Sequence, residues 1–348
     1  MNTTLDAPGS VVSAPSSVAV TAPTKEEYCK SIISWSGAMA ALPDERKLGQ
    51  PIGRLPISDI SVSSVANGKT YKAMLPNEHG QKVEGIFTVV GALGESELPP
   101  ISRQCASRAQ PKALTQRMTV YGYDAYTFKS ALDNIEHIDF LIREAAGTVP
   151  VRSFVAPTED DGERGRGLEG NTRYFTLSKT PIPADLKRKL NDTVDPDHAL
   201  RDLQSTTMAY CADNEVLYLV LRKGQTVDPA VLKQGAIVEM GFAVNAFRHG
   251  SPQQGPQYLS KLVLRYVALL DPTLSERMAK AAQAKRKADA GSDSADARKW
   301  KSIRSASNPL AARFHARQSE SESDEEVEGA RMQVDELTLA TWKAKKNV

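Results

Sequence analysis

Between residues 25 and 271 the chain alternates short apolar runs with polar breaks marked by Gly and Pro; outside that span the runs stop. The first run, KEEYCKSIISWSGAMAAL, brings Tyr28, Ile32, Trp35 and Met39 to roughly one side of a short helix. Such a helix docks on a core and covers part of it; the alternative is a helix that holds a partner. Short strands are expected near Ile57–Val65. From Lys82 onward β-branched and aromatic residues dominate. KVEGIFTVV reads as a strand, and RMTVYGYDAYTF, Arg117 to Phe128, as a second. Leu132, Ile135, Ile138, Leu141 and Ile142 then recur at helical spacing, with Gly147 as the stop. NTRYFTLSK is a further strand. PADLKRKL and DPDHALRDL read as short helices, the second with Asp195 as N-cap and Pro196 at its first position. EVLYLVLRK, AIVEMGFAVNAF and YLSKLVLRYVALL complete the strands, and SERMAKAAQAKRKA extends a helix past Pro272.

Strands outnumber helices, with no regular βαβ alternation and no internal repeat. The expected class is mainly β with a few helices. Four regions follow: 1–24, disordered; 25–81, an extension with a short helix; 82–272, a β domain with a helical insertion; 273–348, a charged disordered tail. The Ser-, Thr-, Ala- and Pro-rich start has too few large apolar residues to offset the entropy of ordering.

Composition narrows the partners. The 348 residues carry a net charge of only +2, so bulk charge names none. No run is long and apolar enough for a membrane helix, and the start lacks the pattern of a secretory signal. Cys29, Cys105 and Cys211 are odd in number and far apart, which fits a reducing compartment rather than a disulfide framework. The histidines are dispersed, so neither a metal nor another cofactor is expected.

Charge is segregated instead in the tail. Glu276–Arg317 holds eleven basic and four acidic residues; Gln318–Glu336 holds one basic and eight acidic. Lys285, Arg286 and Lys287, then Arg298, Lys299 and Lys301 ten residues on, look like a bipartite nuclear-import signal read by an import receptor. Nuclear localisation is therefore expected. The alternative is an ordinary basic tail that binds phosphate. Ser319, Ser321 and Ser323 lie in an acidic run suited to an acidophilic kinase, and phosphorylation there would deepen the negative block.

No catalytic signature is present. Gly165, Gly167 and Gly170 formally spell GxGxxG, but acids precede them and a strand follows. The fingerprint needs a strand before and a helix after, so a mobile loop is the expected reading. Asp160, Asp161 and Glu163 sit in that charged loop and would form a metal site only by tertiary accident. The chain is not expected to be an enzyme.

The stretch from Glu97 to Asp124 contains no acid between its ends, but carries Arg103, Arg108, Lys112 and Arg117. Strand alternation then sets Arg117, Tyr121 and Tyr123 on one face. Cations that hold a backbone and rings that stack on any base suit a single nucleic-acid strand. The competing reading is a half-buried strand whose tyrosines pack under a helix. The last two runs carry a similar ambiguity. If they pair as a hairpin, Asn245, Phe247, Arg248, Lys261 and Arg265 lie on or near one surface. Otherwise the hairpin is core on both sides, with its arginines snorkelling at the edge.

Val216 to Leu270, with EVLYLVLRK, LKQGAIVEMGFAVNAF and YLSKLVLRYVALL, resembles the closing half of an oligonucleotide-binding (OB) barrel. The resemblance implies a Greek-key barrel of about five to six strands over Lys82–Asp271 that binds single-stranded DNA or RNA. The helical insertion exceeds what a minimal barrel needs. Basic and acidic residues balance at 22 each over Lys82–Leu270, so a binding surface would have to be local. The expected function is non-catalytic, sequence-tolerant binding of single-stranded nucleic acid, DNA favoured over RNA. The alternative is a protein-interaction module with a regulatory tail.

Overall fold

The computed structural model describes residues 21–65, 68–101, 110–153, 162–220, 225–249 and 255–292. The chain enters on helix α1 (Lys25–Ala40). Thr24 accepts a hydrogen bond from the Glu27 amide while the Glu27 carboxylate accepts one from the Thr24 amide, a reciprocal capping box. Tyr28, Ile32 and Met39 are buried, with Trp35 packed beside them, so α1 docks on the core.

Short strands β1 (Gln50–Pro51), β2 (Ser61–Val65), β3 (Thr70–Pro76) and β4 (Lys82–Glu84) lead to β5 (Phe87–Glu97) and β6 (Thr115–Tyr121). Helix α2 (Tyr126–Ala146) follows, then β7 (Val151–Ser153), β8 (Gly167–Arg173), β9 (Thr176–Leu177), β10 (Met208–Ala209), β11 (Leu217–Val220) and β12 (Gln225–Thr226). The chain then makes the long strands β13 (Ile237–His249) and β14 (Gln257–Asp271), and helix α3 (Thr273–Ser292). Among the described residues the fold is mainly β, with three α-helices and a mixed sheet of 12 strands. β3 pairs with β13 and β1 with β5, so the sheet takes in residues ahead of the boundary expected at Lys82. Residues 273–292 are helical, although the charged tail was expected to start at 273.

Five of these strands pair in a circuit. β5 pairs with β6, β6 with β8, β8 with β14, β14 with β13, and β13 with β5. The β8–β14 contact is parallel and the others are antiparallel. Alternation explains the interior. Val238, Met240, Phe242, Val244 and Ala246 of β13 all face in and are fully buried. They meet Phe87 and Leu93 from β5, Met118 and Val120 from β6, Leu168 from β8, and Leu262 and Leu264 from β14. Phe128, Leu132, Ile135, Ile138 and Ile142 form the buried stripe of α2, and Gly147, at φ 63°, ends that helix as expected.

Three local expectations are corrected. The run Arg117 to Phe128 is not one strand: β6 ends at Tyr121, Tyr123 and Asp124 turn with φ 47° and 63°, and α2 begins at Tyr126. GxGxxG is not simply a loop, because Gly167 and Gly170 belong to β8, where Gly170 lies over the Met240 sulfur. Neither short helix forms as an α-helix. Residues 184–186 make one 3₁₀ turn, and His198 at φ 58° breaks the second segment. There the buried Asp195 carboxylate accepts from the Leu200 and Arg201 amides, farther along than an N-cap reaches.

The outward side of β13 carries an unusual group. Glu239 is 3% exposed, and its carboxyl accepts a 3.0 Å hydrogen bond from the Tyr266 hydroxyl. Burial pushes its pKa from 4.5 up to about 7, against the pull of the Tyr266 and Thr88 hydrogen bonds. The folded chain therefore holds this proton more tightly than the unfolded chain. Its contribution is complete below about pH 4.5 and is lost as pH rises through about 7. Denaturant midpoints measured across that window should fall with rising pH, and Glu239→Gln should flatten that limb. An equally steep limb in Glu239→Gln would assign it to other groups.

Candidate nucleic-acid interface

The outer faces of β6, β8 and β14 meet in an open cleft of about 430 Å³. It is lined by Lys112, Ala113, Thr115, Asn171, Arg173, Leu177, Leu259 and Lys261. Each comes into place for a simple reason. Thr115 opposes Arg173 across the β6–β8 ladder, and Asn171 lies two residues before Arg173 on the same face. Val263 is in register with Asn171, which brings Lys261 of β14 to the same wall. Lys112 sits in a 3₁₀ turn just ahead of β6.

The cleft is cationic, with no carboxylate in its lining. The Lys261 ammonium donates to Asn171 Oδ1 at 3.2 Å and lies 5.3 Å from the centre of the Phe247 ring. Burial and then the neighbouring Arg173 charge push the Lys261 pKa down to about 8. Phe247 is 36% exposed, so an apolar ring stands at the end of the basic wall. Phosphates suit Lys112, Arg173 and Lys261; the Asn171 amide accepts from Lys261 and donates to Glu169 at 3.4 Å, and Phe247, Leu177 and Leu259 offer flat or apolar contact.

The described cations predicted from sequence, with Phe247, divide into three groups. Lys112, Lys261 and Phe247 come together at this cleft. Arg248 is exposed at the end of β13 on the opposite side of the strand, its backbone amide bonded to the Lys69 carbonyl at 2.8 Å. Arg117 and Arg265 are engaged by acids. Arg117 pairs with Glu97 at 2.6 Å and Glu169 at 3.8 Å, and Arg265 with Glu84 at 3.0 Å. Burial alone would raise Glu84, but the Asn245 hydrogen bond and the Arg265 and Lys72 charges outweigh it and hold the carboxyl below its ordinary range.

The two-tyrosine platform expected on β6 is not formed. Tyr121 is 7% exposed; its hydroxyl donates to Glu95, and the Arg164 guanidinium lies 5.0 Å from its ring centre. Tyr123 has left the strand at the turn and stacks on Tyr28 of α1, with centroids 4.3 Å apart and planes 19° apart. Arg103 and Arg108 lie outside the described residues, as do Asp160, Asp161, Arg298, Lys299, Lys301, Ser319, Ser321 and Ser323. Lys285, Arg286 and Lys287 are exposed on α3, a helix rather than the extended chain expected of an import signal. Among the described residues no cluster of His, Cys, Asp or Glu could hold a metal ion.

Arg173 and Asn171 were missed, though NTRYFTLSK carried the signal: both fall on one face of an alternating strand, opposite Thr172.

No family model matches the chain. No curated protein matches it either. Among solved structures it is similar in part to the crystal structure of gp2.5, a single-stranded DNA binding protein encoded by bacteriophage T7. The identity is 11% and the TM-score 0.29, over 53% of this chain and 91% of that one. At that TM-score the likeness fixes neither fold nor function.

Proposed function

We propose that the five-strand circuit is an oligonucleotide-binding barrel and that the protein binds single-stranded nucleic acid without catalysis, with DNA preferred. The observation that carries this reading is the acid-free cleft holding Lys112, Arg173 and Lys261 beside an exposed Phe247. Strand order supports it. Counted along the chain, β5, β6, β8, β13 and β14 are strands one to five, paired in the circuit one-two-three-five-four. In such barrels ligands lie on the face of strands two and three, between the loops that join strands one to two and four to five. The cleft occupies that face, Lys112 stands on the first connection, and Phe247 leads into the second. The phosphates supply most of the affinity, and the bases meet flat and apolar side chains with no fixed donor code.

Fluorescence anisotropy with a labelled oligothymidine tests the reading. Affinity should fall with salt on a log–log slope of about −0.7 per phosphate contact. It should also fall about fivefold from pH 7 to pH 9 near 0.1 M salt, as Lys261 loses its proton and one contact. Lys261→Arg, charged throughout, should hold its affinity over that range. No binding, or the same alkaline loss in Lys261→Arg, would count against the cleft.

A further inference from the structure

A second cavity lies elsewhere on the sheet, between α1, the residues after β1, the start of α2 and the outer face of β5 and β13. Its volume is about 90 Å³, room for a small molecule and not a polymer. The floor is Glu239, which lines the cavity and is 3% exposed. Met39, Pro51, Val89, Val90 and Ala131 give it apolar walls.

Its polar groups are arranged by sign. Glu239 has the Tyr266 and Thr88 hydroxyls as donors, but no cation faces it among the described residues. The Thr127 hydroxyl, also in the lining, is buried with no hydrogen-bond partner. A buried carboxyl with no counter-charge and a buried hydroxyl with no partner are costly unless something else satisfies them. At the mouth stands Arg54, exposed and with no acidic partner among the described residues. An acid at the bottom and a free guanidinium at the rim, separated by apolar walls, complement a molecule with the opposite order of charge.

We infer that this cavity binds a small zwitterion, its ammonium group directed to Glu239 and its anionic group to Arg54, with a short apolar stem between them. The ammonium donates to the Glu239 carboxylate and the Thr127 hydroxyl. The stem covers Val90 and Met39, and the anionic end pairs with the guanidinium. This site is separate from the cleft on β8 and β14 and shares no lining residue with it.

Isothermal titration calorimetry on the full chain tests this with three probes of one stem length: γ-aminobutyrate, butylamine and butyrate. The zwitterion should bind most tightly and butyrate most weakly. Glu239→Gln keeps the shape of the side chain and should weaken γ-aminobutyrate and butylamine by about tenfold or more. Arg54→Ala alters only an exposed residue and should bring γ-aminobutyrate down to the level of butylamine. The inference is overturned if none of the three gives saturable heat, or if Arg54→Ala leaves the preference for the zwitterion intact. The Arg54 arm decides the matter even if Glu239→Gln proves unstable.

Discussion

Replacing Lys112, Arg173 and Lys261 together by Ala is expected to weaken oligothymidine binding about a hundredfold at 0.1 M salt, and to flatten the log–log salt slope by about 2. Both figures come from one relation. Each phosphate contact on a single strand contributes a factor that varies with salt to the power of about −0.7, so three contribute about two decades at 0.1 M. The fold should tolerate the change, since Lys112 and Arg173 are exposed and Lys261 is relieved of a partly buried charge. The contrast lies with Arg117 and Arg265. Their guanidiniums already face Glu97, Glu169 and Glu84, so Arg117→Ala and Arg265→Ala should change affinity by less than about threefold. Equal losses in the two sets, or a triple variant that binds like the parent, would remove the cleft from consideration.

The largest expected effect on stability is at Gly241. Tyr266 crosses this residue so closely that a Cβ there would lie 2.1 Å from a ring carbon. The strand is continuous on both sides, so the glycine serves close approach and not a turn. Gly241→Val should displace the ring, costing about 1–3 kcal/mol in overpacking. It should also break the Tyr266 hydrogen bond to Glu239, leaving a buried carboxyl with fewer donors for about another 1–3 kcal/mol. A total near 4 kcal/mol is expected from urea denaturation. The double variant Gly241→Val, Tyr266→Ala should lose clearly less than the sum of its parts, because the clash has then gone. Strict additivity would mean that ring and strand do not contact in solution.

The sequence was readable where a pattern ran long. The final hairpin pairs antiparallel along its length, and Val238, Met240, Phe242 and Val244 share its inner face as their alternation predicts. The stripe of α2 and its stop at Gly147 were equally plain. Tyr123 was not, because the turn that removes it from β6 places two non-glycine residues at positive φ, and only Asp124 is of a type that favours that region. Ion pairs were invisible for a different reason. Glu97 lies twenty residues from Arg117 along the chain and Glu84 lies 181 from Arg265, so only the paired strands reveal that these cations are engaged. Residues 174–216 misled for a third reason. Their small core of Tyr174, Phe175, Leu190, Leu200 and Tyr210 is built from turns around a buried Asp195, which short-range propensity does not encode.

The circuit of strands is uneven around its circumference. β13 and β14 are in register at thirteen positions, β6 and β8 at seven, but β8 and β14 at only two. A wall built this way resembles a cuff with one narrow latch. Prising it open between Gly170 and Leu262 parts two paired positions, against four at the next weakest seam, β5–β6. The Lys261–Asn171 hydrogen bond spans that same latch, so a molecule that grips both side chains also fastens the cuff.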